Sequence, residues 1–302
     1  MLTLLEASKL MDNPLAAGVV EVFANVNPVL ERLPFIDIAG NSYRYNQEGT
    51  LPGIAFRGIN GSYTESTGII NPQTEALTIV GGDSDYDVAL VKMGTGNGQL
   101  RAAHDAMKAK SLSLTWLKTF FRGDTDSNPL AFDGLEKRLT GGQVIEPAGA
   151  DGLFETDDID RLLDAVRGDN KVLFMNRTNR RRLSALVRAS GAAIETVTDA
   201  FGRQLQAYAG VPIALVDEDS EGNEILGFTE PDGSGHNDTA SVYCVAFGLD
   251  RLHGIETEAM SVRDLGELQT KPAFRTRIEW YSGLAIKHPR AAARLRYINK
   301  PA

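Results

Sequence analysis

A few short segments carry residue types whose spacing could do chemistry. Gly94-Thr95-Gly96-Asn97-Gly98 joins a strand-like run to a helical one, the place where a phosphate loop sits. It lacks the Lys-Ser/Thr pair that reaches the phosphates and magnesium, and it lacks the third-glycine spacing of a dinucleotide fingerprint. A flexible elbow accounts for the same composition. Asp83, Asp85 and Asp87, and again Asp124, Asp126 and Asn128, have the one-three-five spacing of oxygen ligands around calcium. Val88 and Pro129 stand where the sharp turn of such a loop requires Gly, and Gly94 and Leu135 stand where a bidentate Glu closes the coordination sphere. Neither stretch is therefore read as a calcium loop.

The four histidines, His104, His236, His253 and His288, share no metal-ligand spacing, and neither HExxH nor GxSxG occurs. They are read as solvated or hydrogen-bonded structural residues. Arg122-Gly123-Asp124 fits the end of a helix, with Arg122 near the negative end of the dipole and Gly123 in a left-handed turn. Arg177, Arg180, Arg181 and Arg182 form a charge run on one helical stretch, either a solvated face or an ion-pair patch toward a neighbour. No catalytic residue, cofactor site or metal ligand emerges, and an enzyme is not expected.

Bulk properties agree. The chain has 302 residues, 42% of them hydrophobic, enough for a sizeable core in two domains or one elaborated domain. A net charge of −9 argues against a protein whose main task is gripping nucleic acid, which needs clustered Lys and Arg. The single cysteine, Cys244, leaves no intramolecular disulfide and no zinc cluster, and its setting in SVYCVAF reads as a buried small hydrophobe. The start, MLTLLEASKLMDNPL, does not read as a signal peptide, and no apolar run reaches membrane-spanning length. A soluble protein made in a reducing cytoplasm is expected.

The elements that would position these residues follow from periodicity. Residues 1–33 have helix-compatible apolar spacing at Leu5, Leu10, Val19, Val20 and Phe23, broken by Pro14 and ended by Pro28 and Pro34, and read as an arm. From Asn41 the chain alternates like a strand, Asn60-Gly61 is a hairpin-turn signal, and Gly49, Pro52, Gly53, Gly58, Gly68 and Pro72 exclude a helix. ALTIVGG and YDVALVKM read as the returning strand, making residues 41–92 one long two-stranded ribbon. An isolated hairpin is marginal in water, so the ribbon needs neighbours. A long amphipathic helix follows, with an apolar stripe of Leu100, Ala103, Met107, Leu114, Leu117 and Phe121 and a weak point at Ser111 to Thr115, then an Asp/Asn/Gly/Pro-rich stop and a short helix. From Ile145 the texture is α/β: a helix capped by Thr156 and ended by Gly168, the strand KVLFM, a helix over 179–189, and strands VPIALV and SVYCVAF flanking an exposed, mobile loop at 217–239. Residues 274–280 alternate as a half-buried antiparallel strand.

Taken in order, these segments resemble the Hong Kong ninety-seven capsid fold of tailed phages across essentially the whole chain. RLPFIDIAGNSYRYNQEGTLPGIAFRGIN with GGDSDYDVALV is similar to the family's extended loop, and MKAKSLSLTWLKTFFRGDTDSNPLAFDGLEKRL to its spine helix and the following loop. LFMNRTNRRRLSALVRASG, AYAGVPIALVDED, SVYCVAFGLDRLHGIET and VRDLGE are similar to its axial domain and return strands. The order, not any single motif, carries the resemblance.

That resemblance implies an α+β capsid subunit with an N-terminal arm at 1–33, an extended loop with peripheral strand segments at 34–92, a peripheral domain with the spine helix at 93–145, an axial domain at 146–251, return strands at 252–281 and a C-terminal segment at 282–302. It implies a structural major capsid protein that assembles with itself, as hexamers and pentamers, into an icosahedral shell around double-stranded DNA, in a virion built in the host cytoplasm. Leu5, Leu10, Val19, Val20, Phe23, Tyr43, Tyr45, Phe56, Arg57 and Tyr63 would make intersubunit contacts. Portal, scaffolding and decoration proteins are further expected partners, and DNA would be touched weakly and without sequence specificity. The family's founding member locks its shell with isopeptide bonds from a loop lysine. Here no Lys lies between Lys9 and Lys92, so that chemistry is expected to be absent. Two alternatives stay open: an encapsulin-type compartment of the same fold, and an α/β enzyme using Gly94 to Gly98.

Overall fold

A computed structural model describes residues 27–89, 97–149, 151–191, 195–198, 204–233, 235 and 237–301. Along the chain the elements are β1 (Phe35–Asp37), β2 (Ser42–Thr50), β3 (Ile69–Ala76), β4 (Thr78–Asp87), α1 (Asn97–Arg122), α2 (Leu135–Arg138), β5 (Val144–Ile145), α3 (Thr156–Ala165), β6 (Lys171–Met175), α4 (Arg177–Ala189), β7 (Glu195–Thr198), β8 (Gln204–Tyr208), β9 (Val211–Leu215), β10 (Thr239–Ala246), β11 (Leu252–Glu256), β12 (Ser261–Glu267), β13 (Ala273–Ile286) and β14 (Ala292–Asn299).

Strand β6 reads as an unbroken apolar run because both its faces are covered. Val172 and Phe174 enter one core with Trp116, Phe120 and Phe121 of α1, while Leu173 and Met175 enter a second with Ile159 and Leu162 of α3 and Leu183 of α4. The neighbouring β10 divides in the same way, sending Tyr243 and Val245 to the first core and Val242, Cys244 and Ala246 to the second. The seven-stranded sheet, ordered β5-β14-β10-β6-β9-β8-β7, thus separates the two cores. A five-stranded sheet is ordered β1-β11-β13-β12, with β4 also on β13. Thr276, Ile278 and Trp280 of β13 point inward while Arg275, Arg277 and Glu279 stay partly exposed, as the alternation of that stretch predicts.

Several local expectations are corrected. The ribbon is a β2–β3 hairpin whose return strand is Ile69–Ala76, and β4 leaves it to pair antiparallel with β13 from Thr78↔Ser282 to Asp87↔Ala273. Residues 27–33, read as the end of the arm, sit in this chain's own core. Val29, Leu30 and Leu33 are fully buried, and Asn27 donates to the Ser113 carbonyl at 3.2 Å while its Oδ1 accepts from the Val29 amide at 2.9 Å. Helix α1 runs unbroken through Ser111 to Thr115, spanning about 39 Å. Its Thr115 and Thr119 hydroxyls are spent on the Ser111 and Thr115 carbonyls one turn back, so they do not unwind it.

Where side chains of α1 are described, its buried apolar stripe comprises Ala109, Leu112, Trp116, Leu117, Phe120 and Phe121; Ala103 and Met107 are exposed, and the side chain of Leu100 lies outside the description. Glu155, not Thr156, caps α3, in a reciprocal capping box with Asp158. Gly123 is not left-handed: a Cβ there would lie 2.2 Å from the Phe132 carbonyl oxygen, so close approach of backbone explains the glycine. The segment after Asp217 is not simply an exposed loop. Ile225, Leu226 and Glu230 are buried against the body.

Candidate intersubunit interface

The hairpin β2–β3 pairs from Ser42↔Ala76 outward, and residues 51–68 form its tip without ladder pairing. The expected turn is there: the Gly61 amide donates to the Gly58 carbonyl at 3.1 Å, and Asn60 takes φ +66°. Arg57 donates to the Gly61 carbonyl at 3.1 Å and lies 5.2 Å from the centre of the Tyr63 ring. Ile54, Phe56 and Ile59 are 97%, 109% and 98% exposed, and Leu51, Tyr63, Ile69 and Ile70 are also largely exposed. Burying one such side chain is worth about 1.5–3 kcal/mol, a gain the single chain forgoes at every one of them.

The root of the hairpin is built differently. Tyr45 is buried; its hydroxyl donates to Glu75 Oε1 and accepts from the Ile286 amide, both at 3.3 Å, and burial pushes the phenol up to about 12. Arg138 of α2 grips the Glu75 carboxylate with two bonds of 2.5 and 2.8 Å. Tyr43 stacks on Tyr45, meets His253 edge-on and lies under the Lys287 ammonium. Of the five loop residues singled out in the sequence, Tyr43 and Tyr45 thus pack on their own chain, and Phe56, Arg57 and Tyr63 stand at the tip. Leu5, Leu10, Val19, Val20 and Phe23 lie outside the described residues, as do Gly94, Thr95 and Gly96 and His236.

Asp83, Asp85, Asp124 and Asp126 are spent on cations of the same chain, and Asp87 accepts the Ala89 amide at 2.7 Å. Arg277 chelates Asp83, and Arg275 with Lys271 holds Asp85, so hydrogen bonding to these partners pulls both carboxyls below their usual range. Lys137 lies 2.6, 2.8 and 3.2 Å from Asp124, Asp126 and Asp133, and Asp124 is drawn down to about 2 by its bond to that ammonium. Among the described residues no group of three His, Cys, Asp or Glu is placed to hold a metal ion, and no helix is long and apolar enough to cross a membrane. Cys244 is buried, its thiol pushed up to about 12 by desolvation. His104 is exposed on α1, His253 is fully buried, and His288 accepts the Arg290 amide at 3.0 Å.

The arginine run of α4 diverges. Arg177 pairs with Asp217 at 2.7 Å and Arg180 donates to Gln206; Arg182 donates to the Phe154 carbonyl, and Arg181 reaches only Thr178. A stronger ion-pair group, missed in the sequence, ties α1 and α2 to β14 and the segment before β10. Arg294 of β14 contacts Glu230 at 2.8 Å and Glu136 at 3.0 Å, Arg122 reaches Glu230 at 3.2 Å, and Ser241 donates to Glu230. Five residues from distant parts of the chain contribute, so no local spacing announces it. Lys118 adds a bond to Asp219 at 2.8 Å, which fixes the segment after β9 on the spine helix.

Residues 12–152 match the model of the family described as major capsid protein GP7. No curated protein matches the sequence. Among solved structures, the chain is similar to the SrpI encapsulin of Synechococcus elongatus, with 17% identity, 92% of this chain and 90% of that chain covered, and a TM-score of 0.68. It is similar to the capsid of the native GTA particle at 15% identity, covering 91% and 90%, with a TM-score of 0.65. The structure titled Mycobacterium phage Bobi matches at 13% identity, covering 91% of both chains, with a TM-score of 0.62. These likenesses establish the Hong Kong ninety-seven capsid fold, with its mixture of α and β elements, for this chain.

Proposed function

We propose that this chain, a phage-type major capsid protein by its fold and by the family match over residues 12–152, builds the icosahedral head shell that encloses a double-stranded DNA genome. The observation that carries this reading is the loop tip, where Ile54, Phe56 and Ile59 stand in water on a hairpin rooted by Tyr45, Glu75 and Arg138. A protomer that builds a firm root under an apolar tip has its partner outside itself, and a second copy of the chain is the partner the fold favours. Its role is mechanical rather than catalytic: many copies of one weak contact add up to a cooperative shell. The acidic chain would contact packaged DNA weakly and without sequence specificity. Portal and scaffolding proteins are the further partners this role calls for, in a virion assembled within the host cell.

The encapsulin likeness supports a second reading, a compartment of the same fold holding protein cargo. Expression of the full chain, alone and with its neighbouring gene products, followed by size-exclusion chromatography and negative-stain microscopy, tests the first point. Capsomers or closed shells are expected, and a stable monomer at high concentration overturns the proposal. Nuclease-protected DNA inside natively purified shells supports the virion, and enclosed protein supports the compartment.

A further inference from the structure

Strand β1 is three residues long and lies parallel on β11, in register Phe35↔Gly254, Ile36↔Ile255 and Asp37↔Glu256. It connects the core-anchored segment at 27–33 to the extended hairpin, so its seat governs the root of the candidate interface. That seat is made by two features. The Phe35 ring lies directly over Gly254, where a Cβ would come within 2.2 Å of it, and the same ring sits 5.2 Å from Trp280. Trp280 in turn donates its indole N–H to Glu256 Oε2 at 2.7 Å.

The Glu256 carboxyl is 6% exposed, and among the described residues no Lys, Arg or His pairs with it. Facing it are Asp37 on β1, Trp280 and the register partner Ser282 on β13, and Trp116 of α1, which bonds Ser282 Oγ at 3.1 Å. On its own strand the titratable neighbour is His253. Asp37 is thus the charged group among these neighbours, and its charge has the same sign.

We propose that Glu256 is a proton-operated latch for β1. Protonated, it fills its buried site as a neutral group held by Trp280, and β1 lies closed on β11. Ionised, it places a charge with no cation to pair it in a buried site beside the Asp37 carboxylate, and β1 lifts, loosening the root of the hairpin. Burial, with Asp37 adding to it, raises the carboxyl to about 7, which sets the latch near neutral pH. The inference concerns the protomer and stands whether or not that protomer closes into a shell.

Hydrogen exchange read by mass spectrometry on the full-length protein, at about pH 6 and about pH 8 and corrected for intrinsic rates, tests it. Peptides covering 34–38 and 252–256 are expected to exchange several-fold faster at the higher pH, with β6 unchanged. Glu256→Gln, which keeps the acceptor for Trp280, is expected to remove the difference. Asp37→Asn is expected to move the midpoint to lower pH, because a like charge has gone. Absence of pH dependence in the wild type, or its persistence in Glu256→Gln, overturns the latch. Should Glu256→Gln not fold, the Asp37→Asn midpoint decides alone, an unmoved midpoint counting against it.

Discussion

Gly134 donates its amide to the Gly123 carbonyl at 2.8 Å, and the two glycines bring the end of the spine helix and the start of α2 into backbone contact. A Cβ at Gly134 would lie 2.6 Å from the Gly123 nitrogen, and one at Gly123 would lie 2.5 Å from the Thr119 carbonyl oxygen. Alanine at either position must push backbone away from backbone. Gly123→Ala and Gly134→Ala are each expected to lower stability by about 1–3 kcal/mol, read as a reduced urea midpoint at unchanged slope.

Arg294 lies between Glu230 and Glu136 at only 7% exposure. Replacing it with Met leaves Glu230 buried, with Arg122 its remaining cation. A loss of about 3–5 kcal/mol is expected in denaturant unfolding, because an uncompensated buried charge costs more than the pair contributes. The double variant Arg294→Met with Glu230→Gln recovers part of that loss, since the stranded charge has gone.

At the loop tip the expected result is the reverse. Phe56→Asp and Ile54→Asp change groups that touch solvent in the single chain, so unfolding free energies are expected to stay within about 0.5 kcal/mol of wild type. Shell formation, followed by light scattering and microscopy, is expected to be lost. Assembly at wild-type yield by both variants would contradict the role assigned to the tip.

The pH profile contains two opposed contributions from one strand. Burial pulls His253 down to about 4, so its contribution to stability is complete above its ordinary value near 6.5 and is lost as pH falls toward 4. Glu256, raised from about 4.5 to about 7, acts in the other direction: stability falls as pH rises between those values. The two largely oppose each other between about pH 4.5 and 6.5, while His288, which burial also holds below its ordinary value, adds to the His253 side, so wild type is expected to gain some stability as pH rises there. His253→Leu is expected to expose the Glu256 slope, with greater stability toward acid, and Glu256→Gln to expose the opposite slope. Urea midpoints measured across that range check both signs.

Loop lysines are absent and Cys244 is sealed between β6 and β14, so the strengthening of any shell is expected to be non-covalent. Particles boiled in detergent without reductant are expected to run as one band near 32.7 kDa. A ladder of oligomers on that gel would refute it.

The order of elements was legible because periodicity and turn residues are local: the hairpin turn at Asn60-Gly61, the spine helix, KVLFM and the alternation of 274–280 all stand where the sequence places them. The partner of β4 was not, because a strand's local pattern does not say whether it returns along its neighbour or crosses to another sheet. A signal did exist, in that Asp83 and Asp85 alternate in step with Arg277 and Arg275 and meet them across the ladder. Helix α1 misled at its start because Ala103 and Met107 continue the apolar spacing onto a face that the single chain leaves open. The Glu230 group of ion pairs draws on segments too far apart for any spacing to reveal.

The hairpin's two chain connections to the body are unequal, and this bears on how a pull on it is carried. On one side the chain leaves through β1, three residues on β11; on the other it passes through Leu77 into β4, ten residues laid antiparallel on β13. A force drawn along the strands loads the β4 ladder in shear, all its hydrogen bonds sharing the load at once, with the Asp83 and Asp85 ion pairs across it as cross-ties. The shorter connection is expected to yield before the longer one. Tension applied to the hairpin would therefore run into β13, the strand to which β4, β11 and β12 are all tied, and spread through that sheet before reaching the seven-stranded one.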